Sequence, residues 1–158
     1  MGYEPTAEEL VHLNRCVELA AEALDAGDEP FGSVLVAASG KVLFADRNRT
    51  ADGDQTRHPE FEIARWAASN MAEDERAAAT VFTSGEHCPM CSAAHGWVGL
   101  GRIVYIMSSR QLTEFRAGLG SEPGPVNAIP IQDVVPGLRV DGPVAALEAT
   151  MRELHTRA

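Results

Sequence analysis

Leu10, Leu13, Val17, Ala21 and Leu24 recur at helical spacing and predict an amphipathic first helix. Thr6 and Glu9 stand three apart just ahead of them, the spacing of a capping box in which each side chain satisfies an amide near the other. Gly27 is a natural stop. Residues up to Pro5 carry no such pattern and are expected to be disordered. Two short apolar runs, 33–37 and 42–45, flank Ser39 and Gly40 and read as a hairpin whose strands are buried on at least one face. A polar loop over 46–57 leads into an Ala-rich helix over 58–70, with Pro59 near its start and Asn70 at its end.

Residues 80–83 then predict a strand. Residues 88–98 predict a helix with Pro89 in its first turn, and 102–107 a second buried strand. The acidic run 73–76 reads as a solvated helix end. Leu112, Phe115 and Leu119 mark a short amphipathic helix. Gly120, Pro123, Gly124, Pro125 and Pro130 make 120–130 an irregular connection. Residues 129–135 are expected as an edge strand, where Pro130 is tolerated. Val144, Leu147, Met151 and Leu154 predict a closing helix. This order implies an α/β fold, a three-layer α/β/α sandwich around a central mixed sheet of about five strands. The hairpin supplies an antiparallel pair, and later right-handed crossovers supply parallel neighbours.

The 158 residues are one domain's worth, read as a single domain over 1–158. Thirteen Lys and Arg against 23 Asp and Glu give a formal charge of −10, and Lys41 is the sole lysine. Such a surface repels phosphate backbones, so neither nucleic acid nor an anionic membrane is an expected partner. No apolar stretch reaches the roughly 18–20 residues of a membrane span. The first ten residues lack the basic-then-apolar plan of a signal peptide. The chain therefore reads as cytoplasmic. In a reducing compartment, Cys16, Cys88 and Cys91 suggest metal or redox chemistry rather than a disulfide framework.

Two segments carry that chemistry. His58 and Glu60 open one helix, and Cys88 and Cys91 open another with three-residue spacing on one face. Free amides at a helix start favour thiolate over thiol. Two thiolates and an imidazole suit Zn²⁺, and three protein ligands leave a tetrahedral position for water, the plan of a catalytic site. Two residues from His58, Glu60 can reach that water and move its proton without binding the metal. Either half alone has a plain reading: a chance His-x-Glu, a redox pair, two buried thiols or a structural zinc site. The ordered combination carries the inference.

That combination, with 30–36, 83–91 and 104–105 around it, resembles the zinc-dependent cytidine deaminase superfamily and its H-x-E…P-C-x-x-C signature. The Cys88-Pro89-Met90-Cys91 run followed by Ser92 is similar to the CMP/dCMP-type branch holding guanine deaminases, fungal-type cytosine deaminases and bacterial tRNA adenosine deaminases. The resemblance implies that His58, Cys88 and Cys91 bind zinc and that Glu60 shuttles protons. It implies that Asn48 hydrogen-bonds the base, that Phe31 and Gly32 line its pocket, and that the chain forms a homodimer. Apolar surface around 97–100 would serve that contact. The chain departs from the pattern at Pro59, where Ala is usual, and at His87, where Pro is usual. His87 is placed near the substrate, as a contact, a partner of the metal ligands or a histidine satisfied by backbone.

The expected activity is hydrolytic removal of ammonia from a free nucleobase or close analogue of guanine, cytosine, isocytosine or amino-triazine type. A nucleoside deaminase, a tRNA adenosine deaminase and a non-catalytic zinc module are the alternatives. Cys16 and Phe115 read as core, and His95 as a packing histidine. Trp66 and Trp97 read as packing or interface residues, and His155 as a solvated terminal residue. Glu86 reads either as a surface carboxylate or as a group polarising the leaving amine. Arg47, Arg49 and Arg57 are expected to pair with Asp46, Asp52 and Asp54.

Overall fold

The computed structural model describes residues 2–158. Helix α1 (Ala7–Asp25) starts at the expected capping box: Glu9 N donates to Thr6 Oγ1 at 3.2 Å and Thr6 N to Glu9 Oε2 at 2.9 Å. It stops where Gly27 takes a φ of +88°. The hairpin follows as β1 (Gly32–Val36) and β2 (Val42–Arg47), then α2 (Pro59–Asn70) and a short α3 (Glu73–Ala78). Next come β3 (Thr80–Gly85), α4 (Pro89–Trp97), β4 (Ile103–Met107) and α5 (Ser109–Gly118). The chain closes with α6 (Ile131–Val134), β5 (Val140–Asp141) and α7 (Ala145–Thr156).

The five strands lie in the order β2-β1-β3-β4-β5. β1 is antiparallel to both β2 and β3, whereas β3, β4 and β5 run parallel. Helices cover both faces. Leu13, Cys16 and Leu19 of α1 and Met151 and Leu154 of α7 pack on Val34, Phe82, Val104 and Ile106. On the opposite face, Ile63, Ala64 and Ala67 of α2 pack with Leu35, Val81 and Leu100. The expected three-layer mixed-sheet sandwich is what forms.

Three expectations fail, two for tertiary reasons and one for a local one. Residues 129–135 make no strand: Pro130 cannot donate to a ladder, Ile131 is fully buried in α6, and the edge strand is instead the two-residue β5 beside Ile103 and Val104. The acidic run at 73 begins a separate helix, because Glu75 accepts the Ala72 amide at 2.8 Å and starts α3. Of the N-terminal residues expected to be disordered, Met1 lies outside the described residues, and Tyr3 docks rather than wanders. Tyr3 N donates to Pro143 O at 2.7 Å, its hydroxyl donates to Glu9 at 2.8 Å, and Arg102 donates to that hydroxyl at 2.8 Å. Those partners come from far along the chain, so no local pattern announces them.

Candidate active site

His58 and Cys88 occupy equivalent places, each the N-cap of its helix, with Pro59 and Pro89 following. Proline suits a first helical position, because its missing N–H would be unpaired there anyway. Neither N-cap side chain caps its own helix. Both turn towards a common point with Cys91. Cys88 Sγ, Cys91 Sγ and His58 Nδ1 lie 3.5 Å from one another on all three edges. Tetrahedral zinc with Zn–S about 2.3 Å and Zn–N about 2.0–2.1 Å needs S···S about 3.8 Å and S···N about 3.6 Å. The set fits the ion, and among the described residues it is the one group of three or more such donors so close together. The thiol of Cys91 donating to Cys88, with His58 alongside, pulls Cys88 down to about 4 against the effect of burial. The same contact with Cys88, and burial, push the Cys91 thiol up.

Glu60, the second residue of α2, is 5 % exposed. Burial raises its pKa above the usual carboxylate range. Its Oε1 faces Ser33 Oγ and Thr83 Oγ1, both at 3.2 Å, and its Oε2 lies 3.6 Å from Cys91 Sγ. Glu60 borders a cavity of about 300 Å³, whose floor also holds His58, Pro59, Cys88 and Pro89. Glu29, Phe31 and Asn48 form one wall. Leu112, Thr113 and Arg116 of α5 and residues of the 121–128 stretch form the roof.

Asn48 is 1 % exposed, and its Oδ1 accepts from Thr50 N at 3.1 Å and from Thr50 Oγ1 at 2.8 Å. A backbone N–H only donates, so the atom facing it is the amide oxygen. Nδ2 finds no protein acceptor among the described residues and is left as a donor for the cavity. Phe31 lines the cavity with the Arg116 guanidinium 5.5 Å from its ring centre and the His155 ring edge-on at 5.2 Å. Arg116 also donates to Glu29 at 3.1 Å.

Several expectations are corrected. Gly32 is buried beneath α1 instead of lining the cavity. A Cβ there would meet Cys16 O at 2.5 Å and Ala20 N at 2.9 Å, so only glycine lets β1 and α1 approach. His87 is 1 % exposed, stands off the cavity wall and packs edge-on against His95 at 5.1 Å. Among the described residues neither of its ring nitrogens has a partner, and burial, with His95 beside it, drives its pKa well below the usual value. His155 is buried, not solvated, and burial with Arg116 nearby holds it neutral, its pKa lowered to about 3. Glu86 is neither free at the surface nor available to an amine. Its Oε2 accepts Ser109 N at 2.8 Å and its Oε1 accepts Ile131 N at 2.9 Å. Leu100 is core, whereas Trp97 is 89 % exposed. Arg47 pairs with Asp28 at 2.7 Å, while Arg49 and Arg57 take Asp46 and Asp52 as expected.

Other expectations hold. His95 donates through Nε2 to Gly101 O at 2.7 Å, Cys16 is fully buried, and Trp66 stacks on Phe44. Ser33, Thr50, Thr83 and Arg116 went unnoticed in the sequence. For Ser33 and Thr83 a signal existed: each is a polar residue inside a strand whose other inward positions are apolar.

Known proteins agree with this geometry. Residues 6–107 match the profile of the family described as the cytidine and deoxycytidylate deaminase zinc-binding region. A probable cytosine deaminase of Schizosaccharomyces pombe is 30 % identical over 120 residues, 76 % of this chain and 73 % of that protein. The guanine deaminase of Bacillus subtilis is 33 % identical over 94 residues, 59 % of this chain and 60 % of that protein. A solved chain from a study of A-to-I editing by tRNA:A34 deaminases superposes with a TM-score of 0.59 at 26 % identity, covering 85 % of this chain and 98 % of that one.

Proposed function

This chain belongs to the cytidine and deoxycytidylate deaminase zinc-binding family, and on that premise we propose that it hydrolytically deaminates a free nucleobase or a close analogue. The observation that carries the free-base reading is the charge of the cavity wall. Glu29, Glu60, Glu86 and Glu122 line it, and Arg116 is the one basic side chain among them. A neutral ring enters such a cavity at little electrostatic cost, whereas a polyanion meets repulsion. The cytosine and guanine deaminases it resembles support the same class.

In this reading His58, Cys88 and Cys91 hold the zinc, which supplies the Lewis acidity that makes water a nucleophile near neutral pH. As the water oxygen bonds to the amine-bearing carbon, Glu60 would take the water's first proton at Oε2 and pass it to the ring nitrogen, then carry the second from that oxygen to the departing amine. The C–N bond to the exocyclic amine breaks, a carbonyl remains and ammonia leaves. Asn48 donates from Nδ2 to an acceptor on the ring edge, and Phe31 bounds the ring. α5 and the 121–128 stretch keep bulk water off the reacting carbon. Ammonia release from guanine, cytosine, isocytosine, adenine, 5-azacytosine and their nucleosides tests the reading, with turnover expected on a free base.

The likeness to tRNA:A34 deaminases favours one competing reading, an RNA adenosine deaminase. It would bind tRNA at sub-micromolar concentration and lose roughly 10³-fold in affinity between 50 and 200 mM salt for six or more phosphate contacts. The family resemblance also carries a homodimer, with Trp97 on α4 as the expected apolar contact. Sedimentation should then give about twice 16.9 kDa.

A further inference from the structure

Towards α2, the face of the sheet is apolar for most of its length: Leu35 of β1 and Val81 of β3 pack against Ile63 and Ala64. Strand side chains alternate, so Ser33 shares the face of Leu35 and Thr83 that of Val81. The two hydroxyl residues pair directly across β1 and β3, and both are 0 % exposed. Burying a hydroxyl is unfavourable unless its hydrogen bonds are met. These are met around one atom. Ser33 Oγ donates to Thr83 Oγ1 at 2.8 Å, and Thr83 Oγ1 donates to Glu60 Oε1 at 3.2 Å, with Gly85 O at 2.9 Å as the alternative acceptor for the same proton; Ser33 Oγ also lies 3.2 Å from Oε1. The other carboxyl oxygen, Oε2, faces Cys91 Sγ at 3.6 Å.

From this arrangement we infer that Ser33 and Thr83 are positioning residues for the reaction, gripping Glu60 at Oε1 so that Oε2 alone faces the metal site and substrate. The inference rests on Glu60 as the proton carrier proposed above. Glutamate has a long flexible side chain, and at the second position of α2 its carboxylate meets its own backbone amide but needs contacts from outside the helix to fix both oxygens. The grip comes from two paired strands of the sheet, β1 and β3. Hydroxyls also suit a carboxyl that gains and loses a proton, because each can donate or accept. A backbone amide in their place would serve the anion alone.

The test compares Ser33→Ala, Thr83→Val and Thr83→Ser in the full-length zinc-loaded protein. Thr83→Val keeps the shape and the branching that a strand favours and deletes the hydroxyl. For Ser33→Ala and Thr83→Val, kcat should fall about 10- to 100-fold, the scale of a misplaced catalytic group. KM should stay within about threefold and zinc content should hold, because neither substrate binding nor the metal ligands are touched. Thr83→Ser, which keeps the hydroxyl, should restore kcat to within about threefold of wild type. A second readout needs no turnover: the infrared carboxyl band of Glu60, assigned by difference against Glu60→Gln, should move in Thr83→Val and return in Thr83→Ser. Ser33→Ala carries both readouts if Thr83→Val does not fold. Wild-type kcat in the variants, or an unmoved band, overturns the inference. Wild-type protein inactive on every base would instead sink the proposed function, and the infrared comparison would still test the grip.

Discussion

The floor and the roof of the cavity are built by different means. The floor rests on two helix starts and the ends of β1 and β3; of its working groups Glu60 and Cys91 are buried, and His58 and Cys88 half-buried. The roof is α5 and an irregular stretch, 121–130, in which every residue is exposed. Leu112 and Phe115 seat α5 on the core, and a few long-range polar contacts tie the roof down further: Glu86 to the amides of Ser109 and Ile131, and Arg116 to Glu29. The floor fixes which reaction occurs, since its groups must be held to fractions of an ångström. On the proposed function the roof would select which ring fits, and a roof tied down at a few points can vary without disturbing the floor.

Breaking the floor gives the largest effects. Glu60→Ala should keep zinc and lose about 10²–10⁴-fold in ammonia release, the usual contribution of a general acid–base. Cys88→Ala and Cys91→Ala should lose the metal itself, read by elemental analysis. Full zinc in both cysteine variants would remove the ligand assignment.

Loosening the roof should act on binding. Glu86→Ala deletes both carboxylate–amide bonds at the ends of the 109–131 segment. KM should rise roughly tenfold with a smaller change in kcat, and zinc should be retained. Preference between one-ring and two-ring bases should narrow, measured as a ratio of kcat/KM values. A kcat collapse at unchanged KM would place Glu86 with the floor instead.

The junction of the two is pH-sensitive. His155 presses on Phe31 and, with its pKa lowered to about 3 by burial and by Arg116, stays neutral in the fold. Unfolded, it titrates near 6.5. The unfolded chain therefore binds the proton first, and stability is full above about 6.5 and falls as the pH drops towards 3. The slope from this one group is at most about 1.4 kcal/mol per pH unit. His155→Phe should flatten the fall between pH 6 and 4, read from denaturant midpoints. The smallest effect concerns salt: kcat/KM on a free base should change less than about twofold between 50 and 200 mM, because no counterions are released.

The sequence was most legible where local rules act. The capping box at Thr6, the proline after each N-cap and the three-residue spacing of Cys88 and Cys91 all depend on neighbours, and each is found where it was expected. The failures share a different cause. Ile131 becomes helical because a carboxylate 45 residues earlier takes its amide. Tyr3 is anchored by Arg102 from the far side of the fold. Gly32 was expected in the pocket from the family resemblance, yet it lies against the backbone of α1. His87 was drawn to the substrate by adjacency to Cys88, and its backbone turns the ring inward to His95.

Phe31, Gly32 and Ser33 are consecutive, and each answers to a different layer. Phe31 faces the cavity, Gly32 lies against the backbone of α1, and Ser33 reaches Glu60. A single-residue insertion or deletion here would exchange all three audiences at once, since a one-residue slip reverses every side chain on the strand. The mutational landscape of the chain is therefore steep at this tripeptide and shallow across 121–130. New substrate preferences, in nature or in a laboratory selection, should accumulate as length and composition changes in the roof, while 31–33 admits single like-for-like exchanges at most.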